Sequence, residues 1–185
     1  MLPLALVTIL SFGLLAYRRG DIGDKHARAD MTDEQIKREW RKLGFFCERD
    51  DHKRLWTLTG DRRGLLYFPD LLLGYVADSK YATVGKREHY GPYGSLEIMT
   101  WPDAGLDGHA IRGSAQGLTH LAELVEQKLA FAEPGSHVRI RAEYSPDSPY
   151  SLLLDIRADG FDPASEDRAR LGAMVTKQTA EAAHV

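Results

Sequence analysis

Residues 108–161 (GHAIRGSAQGLTHLAELVEQKLAFAEPGSHVRIRAEYSPDSPYSLLLDIRADGF) constrain the fold more than any other stretch of this chain. Residues 109–112 read as a short strand. Ser114 then stands in an N-cap position, and Leu118, Leu121, Val125 and Leu129 recur at helical spacing behind it, which predicts a helix over 115–132. Pro134-Gly135 ends that helix. The hydrophobic period now falls to two: Val138, Ile140, Ala142 and Tyr144 alternate with Arg139, Arg141 and Glu143. A Ser145-Pro146-Asp147-Ser148-Pro149 turn follows, and Leu152, Leu154 and Ile156 alternate after it. Strand, amphipathic helix and hairpin make a complete packing unit, and nothing in it is equipped for catalysis.

Upstream, Thr32 and Gln35 have the spacing of a capping box. Ile36, Trp40 and Leu43 form one helical face that Gly44 is placed to end. Residues 45–49 and 55–59 read as a hairpin about a polar turn. Residues 62–77 read as helical and apolar around much of their circumference, so much of that helix should be buried. Pro69 either kinks it or starts a second helix, with Leu71, Leu72 and Tyr75 facing the core. Residues 79–94 read as an exposed loop, and 95–101 as a strand with Leu96 and Ile98 on one side and Glu97 and Met99 on the other. Runs of strands and helices without regular alternation imply an α+β fold: one mostly antiparallel sheet covered on one face by two or three helices. At 185 residues one such domain is expected, over 31–163, with 164–185 a flexible or weakly helical tail.

Residues 2–17 (LPLALVTILSFGLLAY) are uncharged and apolar. As a helix they would rise about 24 Å, a marginal fit to a ~30 Å hydrocarbon core. Arg18 and Arg19 follow directly and favour a cytoplasmic location for everything after them, so an inner-membrane anchor would leave the domain in the cytoplasm. Met31 opens a plausible start of its own. Residues 1–30 therefore read as an apolar segment and linker that is either a membrane anchor or an over-extended gene start.

The composition, 43% hydrophobic and 28% charged, is that of a globular chain. A net charge of −3 without a basic stripe argues against nucleic acid as a partner, and the excess of acid in the middle of the chain would suit a basic one. The single cysteine, Cys47, lies in an apolar run and reads as a buried structural thiol.

The chain shows no motif for a catalytic centre, metal or cofactor. His89, His109, His120 and His137 are scattered, without HxH or HxxxH spacing. Gly91-Pro92-Tyr93-Gly94 lacks the lysine and hydroxyl of a phosphate loop, and there is no GxSxG. Asp107 and His109 are two apart, which leaves an unrecognised carboxylate–imidazole enzyme as one alternative. The better candidate is a partner-binding surface built from His89, Tyr90, Tyr93 and Trp101 with Asp107 and His109. Exposed aromatics mixed with charge are what protein interfaces use. The competing reading has Tyr90 and Trp101 covering the sheet edge or the core.

Residues 109–161 resemble the small immunity proteins of bacterial polymorphic-toxin systems, most closely the immunity protein 32 family. HAIRGSAQGLTHLAELV, HVRIRAEY, SPDSP and LLLDIRADGF carry the resemblance, with EWRKLGFF and HYGPYGSLEIMTW upstream. It implies a non-enzymatic α+β protein that binds and neutralises a cognate toxin, without a cofactor. The remaining alternative is a membrane-tethered cytoplasmic interaction module held by residues 2–17.

Overall fold

Helix α1 (Asp33–Leu43) begins with the capping box its sequence announces. The Gln35 N–H donates to Thr32 Oγ1 at 3.3 Å, and the Thr32 N–H donates to Gln35 Oε1 at 2.7 Å. Such a cap contributes about 1 kcal/mol. Ile36, Trp40 and Leu43 are the buried face, and Gly44 closes the helix at φ 84°. The structure, a computed structural model, describes residues 31–167. The expectations for residues 2–17 and for 168–185 lie outside the described residues.

Strands β1 (Phe46–Asp50) and β2 (Leu55–Asp61) form the expected hairpin. Asp61 then caps a single turn, α2 (Arg62–Leu65), and α3 (Tyr67–Ala77) follows at once. Pro69 sits in the first turn of α3, where no intrahelical partner for an N–H is lost. Gly64 has to be glycine, because a Cβ there would collide with the Gly44 carbonyl. Phe68, Leu72 and Tyr75 are buried, but Leu66, Tyr67 and Leu73 are exposed. The apolar circumference of α3 is therefore covered on one side only.

The segment read as a loop, 79–94, is built otherwise. It holds two 3-10 turns, Ser79–Tyr81 and Pro92–Gly94, with β3 (Arg87–Tyr90) between them. Then come β4 (Leu96–Thr100), β5 (Gly105–Leu106), β6 (Ile111–Gly113), α4 (Ala115–Ala130), β7 (His137–Ile140) and β8 (Ser151–Arg157). Ser114 Oγ accepts from the Gly117 N–H at the start of α4, and Leu118, Leu121, Val125 and Leu129 are fully buried.

The fold is α+β and mostly antiparallel, but its strands divide between two four-stranded sheets instead of sharing one. The first has the order β1-β2-β8-β7 and the second β3-β4-β6-β5. Each is two antiparallel hairpins joined through a parallel central pair, β2 with β8 and β4 with β6. The second sheet is inserted in sequence between the two hairpins of the first. Trp56, Leu58, Leu152, Leu154 and Ile156 from one sheet, Leu96, Ile98, Leu106 and Ile111 from the other, and the buried stripes of α1, α3 and α4 belong to one hydrophobic core. Polar ties fix the sheets to each other. Trp56 Nε1 donates to the Asp107 carbonyl at 2.7 Å, and the Leu106 N–H donates to Ser148 Oγ at 2.8 Å.

Two boundaries move. Strand β7 stops at Ile140, not Tyr144, because the Arg141 carbonyl accepts from the N–H groups of Tyr144 and Ser145 and turns the chain. Past Pro163 the chain is still packed. Asp162 caps a 3-10 turn, Pro163–Glu166, and pairs with Arg41, while the Trp40 indole donates to the buried Asp167 carboxylate at 2.9 Å. Cys47 is buried as expected, and burial pushes its thiol far above the ordinary range. Among the described residues no helix is long and apolar enough to cross a membrane.

Candidate functional site

The pairing register of the second sheet sorts its side chains onto two faces. Tyr90, Leu96, Ile98, Ile111 and Leu106 point into the core. Arg87, His89, Glu97, Met99 and Arg112 therefore share the outer face, since paired residues project to the same side. Glu97 lies lowest, its side chain 14% exposed. Arg87 Nη1 donates to its Oε1 at 3.1 Å, and His89 Nε2 lies 2.9 Å from its Oε2. Arg87 and His89, at 57% and 37% exposure, form the outer layer above it.

Arg112 lies flat. Its side chain crosses Gly105 on the neighbouring strand, where a Cβ would stand 2.7 Å from Arg112 Nε and 2.8 Å from Cζ. Asp107 Oδ2 accepts from Arg112 Nε at 3.0 Å, and the guanidinium carbon is 6.0 Å from the centre of the Trp101 ring, within cation–π range. Trp101 is itself 38% exposed. From the core side, the Tyr144 hydroxyl donates to the Arg112 carbonyl at 2.6 Å, and burial pushes that hydroxyl well above the usual tyrosine range. The arginine is thus held through both its backbone and its side chain.

Asp107 holds a turn. Its Oδ1 accepts from the His109 and Ala110 N–H groups at 2.8 and 3.0 Å. Burial works to raise its carboxyl, but those two N–H groups and the Arg112 guanidinium outweigh it and hold the carboxyl below the usual carboxylate range.

Of the residues singled out from sequence, His89, Trp101 and Asp107 meet on this face. His109 is exposed at its rim, attached through its backbone N–H to Asp107. Tyr90 is buried on the reverse side. Tyr93, with φ 62°, projects elsewhere and approaches Asp167 at 3.5 Å. Tyr90 and Tyr93 are therefore not part of the face. Sequence reasoning missed Arg112 and Gly105. The usable signal was the Ile111-Arg112-Gly113 alternation, too short to register as a pattern.

A second polar group lies on the outer face of the first sheet. His137 and Arg157 flank Asp155 at 3.3 and 3.0 Å, and Glu166 lies 3.4 Å from Arg157. His137, Asp155 and Arg157 edge an open groove of about 490 Å³ lined also by Pro134, Gly135 and Ile156. His137 is well exposed and the groove is shallow, so nothing there shields a reaction from water. Among the described residues no three His, Cys, Asp or Glu side chains are grouped to hold a metal ion. No family model, curated protein or solved structure matches the chain.

Proposed function

We propose that this protein is a non-enzymatic, immunity-type protein that neutralises a cognate bacterial toxin by binding it, and that the outer face of the β3-β4-β6-β5 sheet is the binding surface. One observation carries the reading: Arg112 is pinned against Trp101 by Asp107 and Gly105, on an open sheet face, before any partner arrives. Trp and Arg dominate interface energetics, and side chains already ordered lose little entropy on binding. The resemblance of residues 109–161 to immunity proteins supports the toxin as the partner. A domain of this size can supply half of a standard interface of ~1,600 Å².

The test is co-expression with the product of the adjacent gene. The proposal expects that product to arrest growth alone, to be tolerated when this protein is present, and to co-purify with it at fixed stoichiometry. A neighbour that is harmless, or that does not bind, refutes the toxin reading.

A further inference from the structure

We infer that the outer face of the second sheet recognises carboxylate groups, with Arg112 and Trp101 as the receptor for an acidic side chain of a protein partner. This rests on reading that face as the binding surface and adds the chemistry of what it takes. The excess acid of the whole chain points toward a basic partner, but local geometry points the other way.

Both carboxylates of the face are already engaged at both oxygens. Glu97 is held by Arg87 and His89, and Asp107 by two backbone N–H groups and Arg112 Nε. Arg112 uses only Nε in that pair. Its two terminal nitrogens make no hydrogen bond among the described residues, and neither does the Trp101 indole N–H. A guanidinium is donor-only, and so is an indole. What the face chiefly has left to offer is N–H. Two parallel N–H groups on a planar fork match the two oxygens of a carboxylate.

Layering adds to this. In the Glu97 group the acid is the covered member and Arg87 and His89 are outermost, so an approaching partner meets the Arg87 guanidinium before it meets the acid. The compensating acids, Glu97 and Asp107, keep the total charge of the face small. That is too little for a polyphosphate backbone, whose binding requires several uncompensated cations, but enough for single carboxylates.

The experiment is a titration of the protein, labelled with nitrogen-15, at low salt with three probes: oligoglutamate, oligolysine and oligothymidylate. Oligoglutamate is expected to shift the Arg112 Nε–H and Trp101 indole resonances before those of other arginines. Arg112→Lys keeps the charge but loses the fork, and should weaken the effect about tenfold. The response of Arg112→Lys is read at the Trp101 indole, and unchanged dispersion of its backbone amide resonances checks that loss of the response does not come from misfolding. Shifts of those two resonances by oligolysine instead would overturn the acid assignment and leave the face as the interface. Equal or stronger shifts by oligothymidylate would overturn it in favour of nucleic acid. Silence of both resonances with all three probes also sinks the inference, while the interface reading is judged separately by the complex with the adjacent gene product.

Discussion

The Tyr144 hydroxyl donates to the Arg112 carbonyl from the core side of a strand whose solvent side carries the Arg112 guanidinium. One tyrosine thus couples the stability of the core to the placement of a half-buried arginine. Tyr144→Phe removes the donor and leaves that carbonyl short of a partner. A loss of about 1–3 kcal/mol in unfolding free energy is expected, read from urea denaturation. An unchanged midpoint would show that the bond contributes nothing.

Gly105→Ala tests the flat arginine without altering any charge. The new methyl would overlap Arg112 Nε and Cζ, which lie at the end of a flexible side chain able to swing away. The domain should remain folded while Arg112 lifts off the sheet. The cation–π contact with Trp101 should be lost, visible as a change in Trp101 indole shift or fluorescence. An unchanged Trp101 signal in a folded variant contradicts the packing described.

Asp107 gives a prediction in pH. Its folded-state carboxyl is depressed, so its stabilisation is complete above the unfolded value of ~3.9 and fades as pH falls through the folded value. Asp107→Asn keeps an oxygen for the His109 and Ala110 N–H groups but places an N–H against Arg112 Nε. The variant should melt below the parent at neutral pH, and the gap should narrow by about pH 3. A gap that stays constant across that range would mean the ionised form is not what matters.

Cys47 should be chemically silent in the folded protein. It is enclosed in the core and its thiol is shifted strongly upward by burial. Iodoacetamide at about pH 8 should leave the native chain unmodified and label it on addition of denaturant. Labelling of the native state at the rate of a free thiol would contradict this placement.

How much of this was legible in the sequence follows from where each signal resides. Helix α4 and strand β8 were readable because Leu118, Leu121, Val125 and Leu129, and then Leu152, Leu154 and Ile156, each repeat a single period over enough residues to exclude the other. The start of α1 was readable because Thr32 and Gln35 satisfy each other locally. Strand β3 was not, since Arg87-Glu88-His89-Tyr90 has one apolar residue and is a strand only because β4 lies beside it. The division into two sheets rests on the parallel pairs Leu58 with Leu154 and Ile98 with Ile111, long-range choices that no local pattern encodes. The packing of residues 164–167 was not legible, because the partner of Asp167 lies far away in sequence. Its carboxylate is the acceptor for the buried Trp40 indole. The binding face was half visible. Trp101, His89 and Asp107 were recognisable by type, whereas Arg112 and Gly105 gain meaning only once their strands are paired.

The account depends on the outer face of the second sheet being the surface that meets the partner. The most direct measurement is the dissociation constant for the adjacent gene product, taken with the parent protein, with Trp101→Ala and with Arg139→Ala. Arg139 is exposed on β7 in the other sheet, paired in register with Leu153. Truncating Trp101 should weaken binding by about 2 kcal/mol or more, roughly thirtyfold, while Arg139→Ala should stay within about threefold of the parent. Tight binding that ignores Trp101→Ala, or that is lost with Arg139→Ala, would place the interface elsewhere and contradict the account.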